Sequence, residues 1–242
     1  MRRLISLALI PCALLVCGCP DNGDPQSPGS TPSAGSSTGS TGGKKKFRIA
    51  VIPKGTSHDF WLSVRHGAET AAKELGNVEV VWKGTQHEGD KDGQIQILDG
   101  FIVSGVDGIC LAPIDREAMV PVITRAQSRK IPTVVFDSGL ADENAYVSYV
   151  ATDNFKGGVM AARRMGQLLD AKGEVIMLRY QVGSQSTENR ERGFLETLNK
   201  EFPGIKVLSE NQRATSDISE AKLKSTSMLL KFKGEVDGVF TV

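Results

Sequence analysis

The chain alternates between two hydrophobic periodicities from residue 47 to its last residue. Short runs such as 47–52 and 108–112 are apolar along most of their length, whereas segments such as 58–75 carry apolar residues every three or four positions. The first pattern is typical of strands buried on both faces, and the second is typical of amphipathic helices. The alternation therefore predicts an α/β fold built on parallel sheets that are covered by helices on both faces.

The elements fall into two successive runs. The first run has strands at 47–52, 78–82, 108–112 and 133–136, and helices at 58–75, 90–103 and 116–129. The second has a short strand or crossover at 146–150, helices at 155–169, 188–200 and 217–232, and strands at 174–178, 205–208 and 238–241. Two similar lobes with a ligand cleft between them are expected. They are an N-terminal lobe at 47–140 and a C-terminal lobe at 141–242, with the junction near 138–152.

The N-terminus carries the pattern of an export signal. Arg2 and Arg3 precede 13 largely apolar residues at 4–16, too short a run to span a bilayer. The run ends in Val16-Cys17-Gly18-Cys19, which resembles a bacterial lipobox and predicts a signal peptide at 1–18 with lipidation of Cys19. An ordinary cleaved signal is the alternative, with the same export. The lipid would anchor the protein on the periplasmic side of a membrane.

A tether follows the signal at residues 19–46. Gly, Ser, Thr and Pro make up 19 of the 24 residues at 20–43, so the segment lacks the apolar side chains of a packed core. We expect a disordered spacer that holds the folded part away from the membrane.

Composition and motifs exclude several function classes. The 29 basic and 28 acidic side chains give a net charge of +1, which provides no basic surface for nucleic acid. Phosphate-binding glycine loops and the nucleophile elbow are missing from the sequence, and the three histidines lack zinc-ligand spacing. No catalytic residue, metal or cofactor is predicted, and four cysteines are too few for a disulfide scaffold.

The candidate site follows from the rule that open parallel sheets bind ligands beyond the carboxyl ends of their strands. After the first strand this edge offers Lys54, His58, Phe60 and Trp61. Trp61 could stack on the C–H face of a sugar while its N–H donates a hydrogen bond. Phe60 lies on the apolar stripe of its helix and could equally be a core residue, and His58 could instead cap the helix.

Other strand ends add charged groups. Asp137 follows the fourth strand, where a carboxylate could accept bonds from vicinal hydroxyls or serve as a turn residue. Arg179 and Arg190 offer forked guanidinium donors in the second lobe, with Arg192 more simply solvated. The weaker candidates are Arg179 together with Lys83, Asp115, Thr215 and Asp217.

Several segments in this order resemble the sugar-type periplasmic solute-binding proteins of ABC transporters, the ribose-binding class. They are IAVIPKGTSHDFW at 49–61, GVDGI at 105–109 with Ala112-Pro113, IPTVVFDSG at 131–139, ATDN at 151–154 with Gly157-Gly158, and RERGF at 190–194. The resemblance covers 47–242 and implies the type I periplasmic-binding fold. Repressors that share this fold carry a DNA-reading helix pair where this chain has its signal and tether.

The resemblance assigns roles position by position. The family's paired rings fall on Phe60 and Trp61, its polar residue at the first helix start on His58, its sugar-binding Asp on Asp137 and its cleft Arg on Arg190. Two positions depart from ribose binders. They are Ser138, a candidate ligand-binding residue at the position where those proteins carry Arg, and Ala112, where the family has Asn. The sugar therefore stays open.

The implied function is a lipid-anchored receptor that binds a small sugar or polyol by closure of two lobes and delivers it to an ABC permease in the membrane. One alternative is a lipoprotein that reports the same ligands to a chemoreceptor or histidine kinase. A further alternative is an exported carbohydrate-active enzyme, which would need a second carboxylate opposite Asp137.

The length adds one further expectation. The family continues beyond the strand at 238–241, so the resemblance implies that this chain is truncated at its C-terminus and that its second lobe is incomplete. We expect apolar surface to be exposed there and the affinity of these 242 residues for sugar to be low.

Overall fold

The first of two parallel sheets carries the N-terminal half of the fold. A computed structural model describes residues 45–242, so the predicted signal, Cys19 and most of the tether lie outside the described residues. The strands are β1 (Phe47–Ile52), β2 (Val78–Trp82), β3 (Gly108–Leu111), β4 (Thr133–Phe136) and β5 (Ser148–Val150), in the order β2-β1-β3-β4-β5. All pairings are parallel. The helices α1 (Asp59–Leu75), α2 (Lys91–Ser104) and α3 (Val120–Ser128) connect them. We call residues 47–150 lobe one.

The second sheet has the order β7-β6-β8 and is also parallel. Its strands are β6 (Gly173–Tyr180), β7 (Ile205–Ala214) and β8 (Gly238–Thr241), and its helices are α4 (Asn154–Leu168), α5 (Gln185–Glu201) and α6 (Ile218–Lys231). We call residues 154–241 lobe two. The predicted α/β architecture with two parallel sheets is confirmed.

Strand β6 shows why the apolar runs indicated buried parallel strands. Val175 and Met177 pack into one hydrophobic cluster of lobe two, while Ile176 and Leu178 pack into another. Successive side chains of a strand point to opposite faces, so both faces of β6 are covered. In lobe one, a larger hydrophobic cluster forms the core and includes Ile52, Leu98, Leu111 and Ile123.

The helix boundaries follow local capping chemistry. The His58 side chain accepts a bond from the Phe60 amide at the start of α1, and Asp90 accepts one from the Gly93 amide at the start of α2. Gly76 and Gly105 end these helices in the left-handed conformation that glycine adopts without a Cβ penalty. The boundaries predicted for α1 and α2 are therefore accurate to one residue, whereas α5 begins three residues before the predicted start at 188.

Helices α4 and α5 pack closely because glycines face each other at the crossing. A Cβ on Gly158 would meet the Arg190 carbonyl oxygen, and one on Gly193 would meet the Phe155 carbonyl oxygen. Neither helix could approach the other this closely with a larger residue at these positions.

Three features differ from the sequence expectations. Strand β5 pairs with β4, so lobe one runs ten residues past the boundary predicted at residue 140. The helix predicted from residue 116 begins at Val120, because Asp115 first accepts bonds from the amides of Glu117 and Ala118 in a turn. Strand β7 is ten residues long and contains register shifts against β6, which an apolar run of four residues could not indicate.

Apolar side chains are exposed on lobe two. The side chains of Ile218, Leu223 and Leu230 on α6 are 84%, 69% and 66% exposed, and Val239 on β8 is 44% exposed. Among residues 45–242, no helix has the length and apolar character needed to cross a membrane.

Candidate functional site

Lys54 lies at the carboxyl end of β1, where lobe one meets lobe two. Although charged, its side chain is only 4% exposed. Its ammonium lies 3.0 Å from Asp137 Oδ2 and donates to the hydroxyls of Ser184 and Ser186 at 3.1 and 3.2 Å. A buried ammonium needs such partners, because transfer from water is costly without them. Lys54 thus ties the end of β1 both to the end of β4 and to the first turn of α5.

The backbone of Asp137 adopts a conformation that few residues other than glycine tolerate. Its φ is 63°, in the left-handed region, where Asp is less disfavoured than most residues. Its amide donates to the Val150 carbonyl at 3.0 Å, which fixes the turn after β4. The Asp137 side chain keeps 20% exposure, so the carboxylate paired with Lys54 still has a solvent-facing portion.

The segment after Asp137 bonds directly to lobe two. Ser138 is fully buried, and its hydroxyl accepts a bond from the Ser186 amide at 3.0 Å. The Gly139 amide donates to Gln185 Oε1 at 2.7 Å. Ser184 occupies the N-cap position of α5 but makes no side-chain cap bond. Its hydroxyl accepts a bond from Lys54 instead. The two lobes are therefore in contact at the predicted cleft.

The aromatic pair is arranged differently from the sequence prediction. Phe60, placed on the core stripe by periodicity, is 48% exposed, while Trp61 is 2% exposed. Their rings meet edge-on with centroids 4.8 Å apart, and Trp61 also lies edge-on to Phe136 at 6.4 Å. The Trp61 N–H, expected to be available to a sugar, donates to Glu88 Oε1 at 2.7 Å. Phe60 is thus the ring whose surface is accessible.

Glu88 lies next to the candidate site and is a contact that the sequence did not reveal, since its loop was interpreted as solvated. Besides the bond from Trp61, its Oε2 accepts a bond from the Tyr180 hydroxyl at 2.8 Å. Burial and the neighbouring Glu88 carboxylate together raise the pKa of Tyr180, so the hydroxyl stays a donor at neutral pH. The two donors come from positions 61 and 180, and no local sequence pattern links them to residue 88.

Gln94 also escaped prediction, although it holds the site loops in place. The side chain is fully buried, and its amide nitrogen donates to the carbonyls of Pro53 and Ala112 at 3.1 and 2.9 Å. Its oxygen accepts from the Ile114 amide at 2.9 Å. These three bonds fix the loops after β1 and β3, and hence the backbone next to Lys54.

Arg190 lies on α5 at the side that faces α4. Its Nη1 donates to Asn154 Oδ1 at 2.6 Å, and Asn154 is 5% exposed. The guanidinium retains further donors beyond this bond, so it could also bind a hydroxyl.

Arg179 belongs to an ion-pair network inside lobe two. The carboxylate of Glu191, only 4% exposed, lies 3.4 Å from Arg179 Nε and 4.0 Å from Arg213 Nη1. Burial raises the pKa of Glu191, while the Tyr180 amide and the two arginines oppose that shift. Because Arg179 is paired with this carboxylate, its guanidinium stabilises lobe two in the structure.

The remaining candidates make local contacts. His58 caps α1, and Asp115 accepts bonds in the turn before α3. Asp217 caps α6 by accepting from the Glu220 amide at 2.7 Å, and the Thr215 hydroxyl donates to the Glu220 carboxylate. Lys83 is exposed at the end of β2. Thr215 also lines a cavity of about 490 Å³ at the carboxyl ends of β6, β7 and β8.

The part of the chain that the structure describes contains no cluster of three or more His, Cys, Asp or Glu side chains able to hold a metal ion.

Residues 49–242 match the family of periplasmic binding protein domains. The chain belongs to this family. It is 29% identical over 191 residues to a D-ribose/D-allose-binding protein of Pseudomonas aeruginosa, covering 76% of this chain and 59% of that protein. It is also 29% identical over 175 residues to a xylitol-binding protein of Mycolicibacterium smegmatis, covering 72% of this chain and 48% of that one.

Solved structures agree with the family assignment. A carbohydrate transporter solute-binding protein from Agrobacterium radiobacter, in complex with D-arabinose, superposes with a TM-score of 0.77 at 29% identity. The superposition covers 82% of this chain and 68% of that one. The periplasmic component of a sugar ABC transport system from Hahella chejuensis gives 0.74 at 35% identity, covering 80% and 69%. This family member spans about half to three-fifths of the length of the two curated relatives named above.

Proposed function

We propose that the protein is an extracytoplasmic substrate-binding lipoprotein of an ABC sugar importer, which binds a monosaccharide or related polyol between its two lobes. The observation that carries the proposal is the Asp137 carboxylate. It stands at the carboxyl end of β4, oriented by Lys54, partly exposed, and directly beside the first turn of α5 in lobe two. A fixed, partly solvated carboxylate is an acceptor suited to vicinal hydroxyls.

The neighbouring groups suit a sugar ring. Phe60 presents an accessible aromatic surface against which C–H groups can pack. Arg190 on α5 of lobe two carries guanidinium donors beyond the one that bonds Asn154, and these could bond further hydroxyls. A ligand that bonds both groups stabilises the closed arrangement, because only the closed arrangement makes both sets of contacts.

The ligand class follows from the chemistry of these groups and from the relatives. The cleft charge of Asp137 is already neutralised by Lys54, so a neutral polyhydroxylated ligand fits better than a strongly charged one. Ser138, fully buried and bonded to Ser186, occupies the position where ribose binders carry Arg. The proposal therefore covers small aldoses and polyols without choosing among them.

The partners proposed are an ABC permease, which would receive the ligand from the closed protein, and a membrane reached through lipid on Cys19. The relatives named for sugar or polyol binding support the transport role. The curated relatives are binding proteins rather than enzymes, which agrees with the prediction that the chain has no catalytic activity.

The test is saturation-transfer-difference NMR of the 242-residue chain against a panel of pentoses, hexoses and polyols. The panel is measured up to high millimolar concentration, so that weak binding is also detected. We expect saturable transfer to at least one member and its loss in Asp137→Ala, since a charge-assisted bond is removed. The matched control is Asp107→Ala, because Asp107 accepts the Arg48 amide at the opposite, amino edge of the same sheet. Transfer to no panel member, or equal loss in both variants, contradicts the proposal.

A further inference from the structure

The Glu88 side chain joins the two lobes. One carboxylate oxygen accepts from Trp61 of lobe one at 2.7 Å, and the other accepts from Tyr180 of lobe two at 2.8 Å. The backbone carbonyl of Glu88 accepts a third bond, from Gln181 Nε2 at 2.8 Å. The loop between β2 and α2 is therefore held to the end of β6 through one residue.

We propose that Glu88 is a positioning residue of the cleft, which fixes the Trp61 ring and couples its place to closure of the lobes through Tyr180. The inference rests on the proposed function in one respect, namely that the cleft binds a ligand. The new element is that hydrogen bonds of Glu88 stabilise the closed arrangement of the lobes even before a ligand is bound.

The charge of Glu88 strengthens both hydrogen bonds that its side chain accepts. None of the ion pairs among residues 45–242 includes Glu88, so its carboxylate is stabilised by the indole N–H and the phenol O–H. Hydrogen bonds to an ionised acceptor are stronger than those between neutral groups. Opening the lobes would remove the Tyr180 hydroxyl from Glu88 and leave Trp61 as the partner within lobe one.

The same bonds determine what Trp61 can offer a ligand. Its N–H is engaged by Glu88 and its ring is buried edge-on against Phe60 and Phe136. The buried Trp61 ring therefore packs against the accessible Phe60 ring. Glu88 bonds Trp61 and Tyr180 at the same time, so it links the position of these rings to lobe two. Loss of the Tyr180 bond lowers the closed population, and the apparent affinity for a cleft ligand falls by the same factor.

The experiment measures lobe opening without ligand, by amide hydrogen exchange. The reporters are the Gly139 and Ser186 amides, which donate across the lobes, and the Arg116 amide, which donates to the Gly183 carbonyl. Tyr180→Phe removes only the hydroxyl that bonds Glu88 from lobe two. We expect exchange at all three amides to become about tenfold faster, the lower end for a hydrogen bond to a charged group.

Two further variants complete the design. Glu88→Gln keeps the shape and removes the charge, so it should accelerate the same amides. Glu201→Gln is the control, because it removes the same charge from a surface pair inside lobe two, in which Arg163 Nη2 lies 2.7 Å from Glu201 Oε1. Protected amides of the β6 ladder report whether each variant is folded. Wild-type exchange at the three interlobe amides in a folded Tyr180→Phe variant overturns the proposal.

The sugar titration described above keeps this result separate from the proposed function. If the chain binds no sugar but the interlobe amides respond, the coupling stands and the ligand class falls. If sugar binds and the amides do not respond, the proposed function stands and the role of Glu88 falls.

Discussion

The ion pair of Lys54 and Asp137 gives the most direct energetic prediction from the structure. Lys54→Met keeps the length of the aliphatic side chain and removes the ammonium. Lost with it are the contact to Asp137 at 3.0 Å and the bonds to Ser184 and Ser186 at 3.1 and 3.2 Å. Removing one partner of a buried pair costs about 3–5 kcal/mol. Because Asp137 keeps 20% exposure and water can replace part of the lost interaction, we expect the lower end, about 3 kcal/mol.

A double-mutant cycle separates the pair from the two serine bonds. Asp137→Asn keeps the side-chain shape, and the cycle with Lys54→Met should give a coupling free energy of about 1.5–2 kcal/mol, as for a charge-assisted contact in a mostly buried site. The assay is urea unfolding of the ligand-free chain, with the midpoint and slope of each transition compared.

The matched control is the surface pair of Lys46 and Glu79, whose side chains are 63% and 47% exposed and 3.4 Å apart. The cycle of Lys46→Met and Glu79→Gln should show much weaker coupling, because exposed pairs contribute little. Equal coupling in the two cycles, or a Lys54→Met variant as stable as the wild type, would refute the reasoning.

Three further variants test other parts of the structure. Phe194 is fully buried and its ring stacks on Phe240 at 3.9 Å, so Phe194→Ala should lower the free energy of unfolding by about 3–5 kcal/mol in urea, and a loss below 1 kcal/mol would count against this packing. Gly193→Ala should lower the melting temperature by several degrees, although Ala favours helices, because its Cβ would meet the Phe155 carbonyl oxygen; a higher melting temperature would contradict the close helix crossing. For Glu191, burial raises the folded-state pKa above the ordinary 4.5, so its contribution to stability is present at low pH and is lost as pH rises through that region. The stability of the wild type relative to Glu191→Gln should therefore decrease as the pH rises above 4.5, and an increase would show the opposite shift.

The order of strands and helices could be predicted because local chemistry determines it. His58, Asp90, Gly76 and Gly105 mark helix ends by capping bonds that depend only on neighbouring residues. Strand β5 could not be assigned to its sheet in the same way. Its three residues are exposed, so no buried face links them to either sheet, and only pairing with β4 shows where they belong.

The site was partly predictable for a similar reason. Lys54 and Asp137 follow strands that the topology places close together, so the rule about carboxyl ends located both of them. Helical periodicity placed Phe60 on the apolar stripe and Trp61 off it, whereas Trp61 is the buried ring and bonds Glu88 of another loop, a contact that periodicity does not describe. Glu88 and Gln94 act through partners far away in sequence, and only the folded chain brings those partners together.

The central claim is that a small sugar or polyol binds between the lobes at the carboxyl edge of the first sheet. The most direct measurement is a ¹⁵N–¹H NMR titration of the 242-residue chain with the panel member that shows saturation transfer. The account predicts saturable shifts of the Gly139 and Ser186 amides and of the Trp61 indole N–H, while the Arg48 amide at the opposite edge stays unchanged. Saturable shifts confined to other regions, with these three signals unmoved, would contradict it.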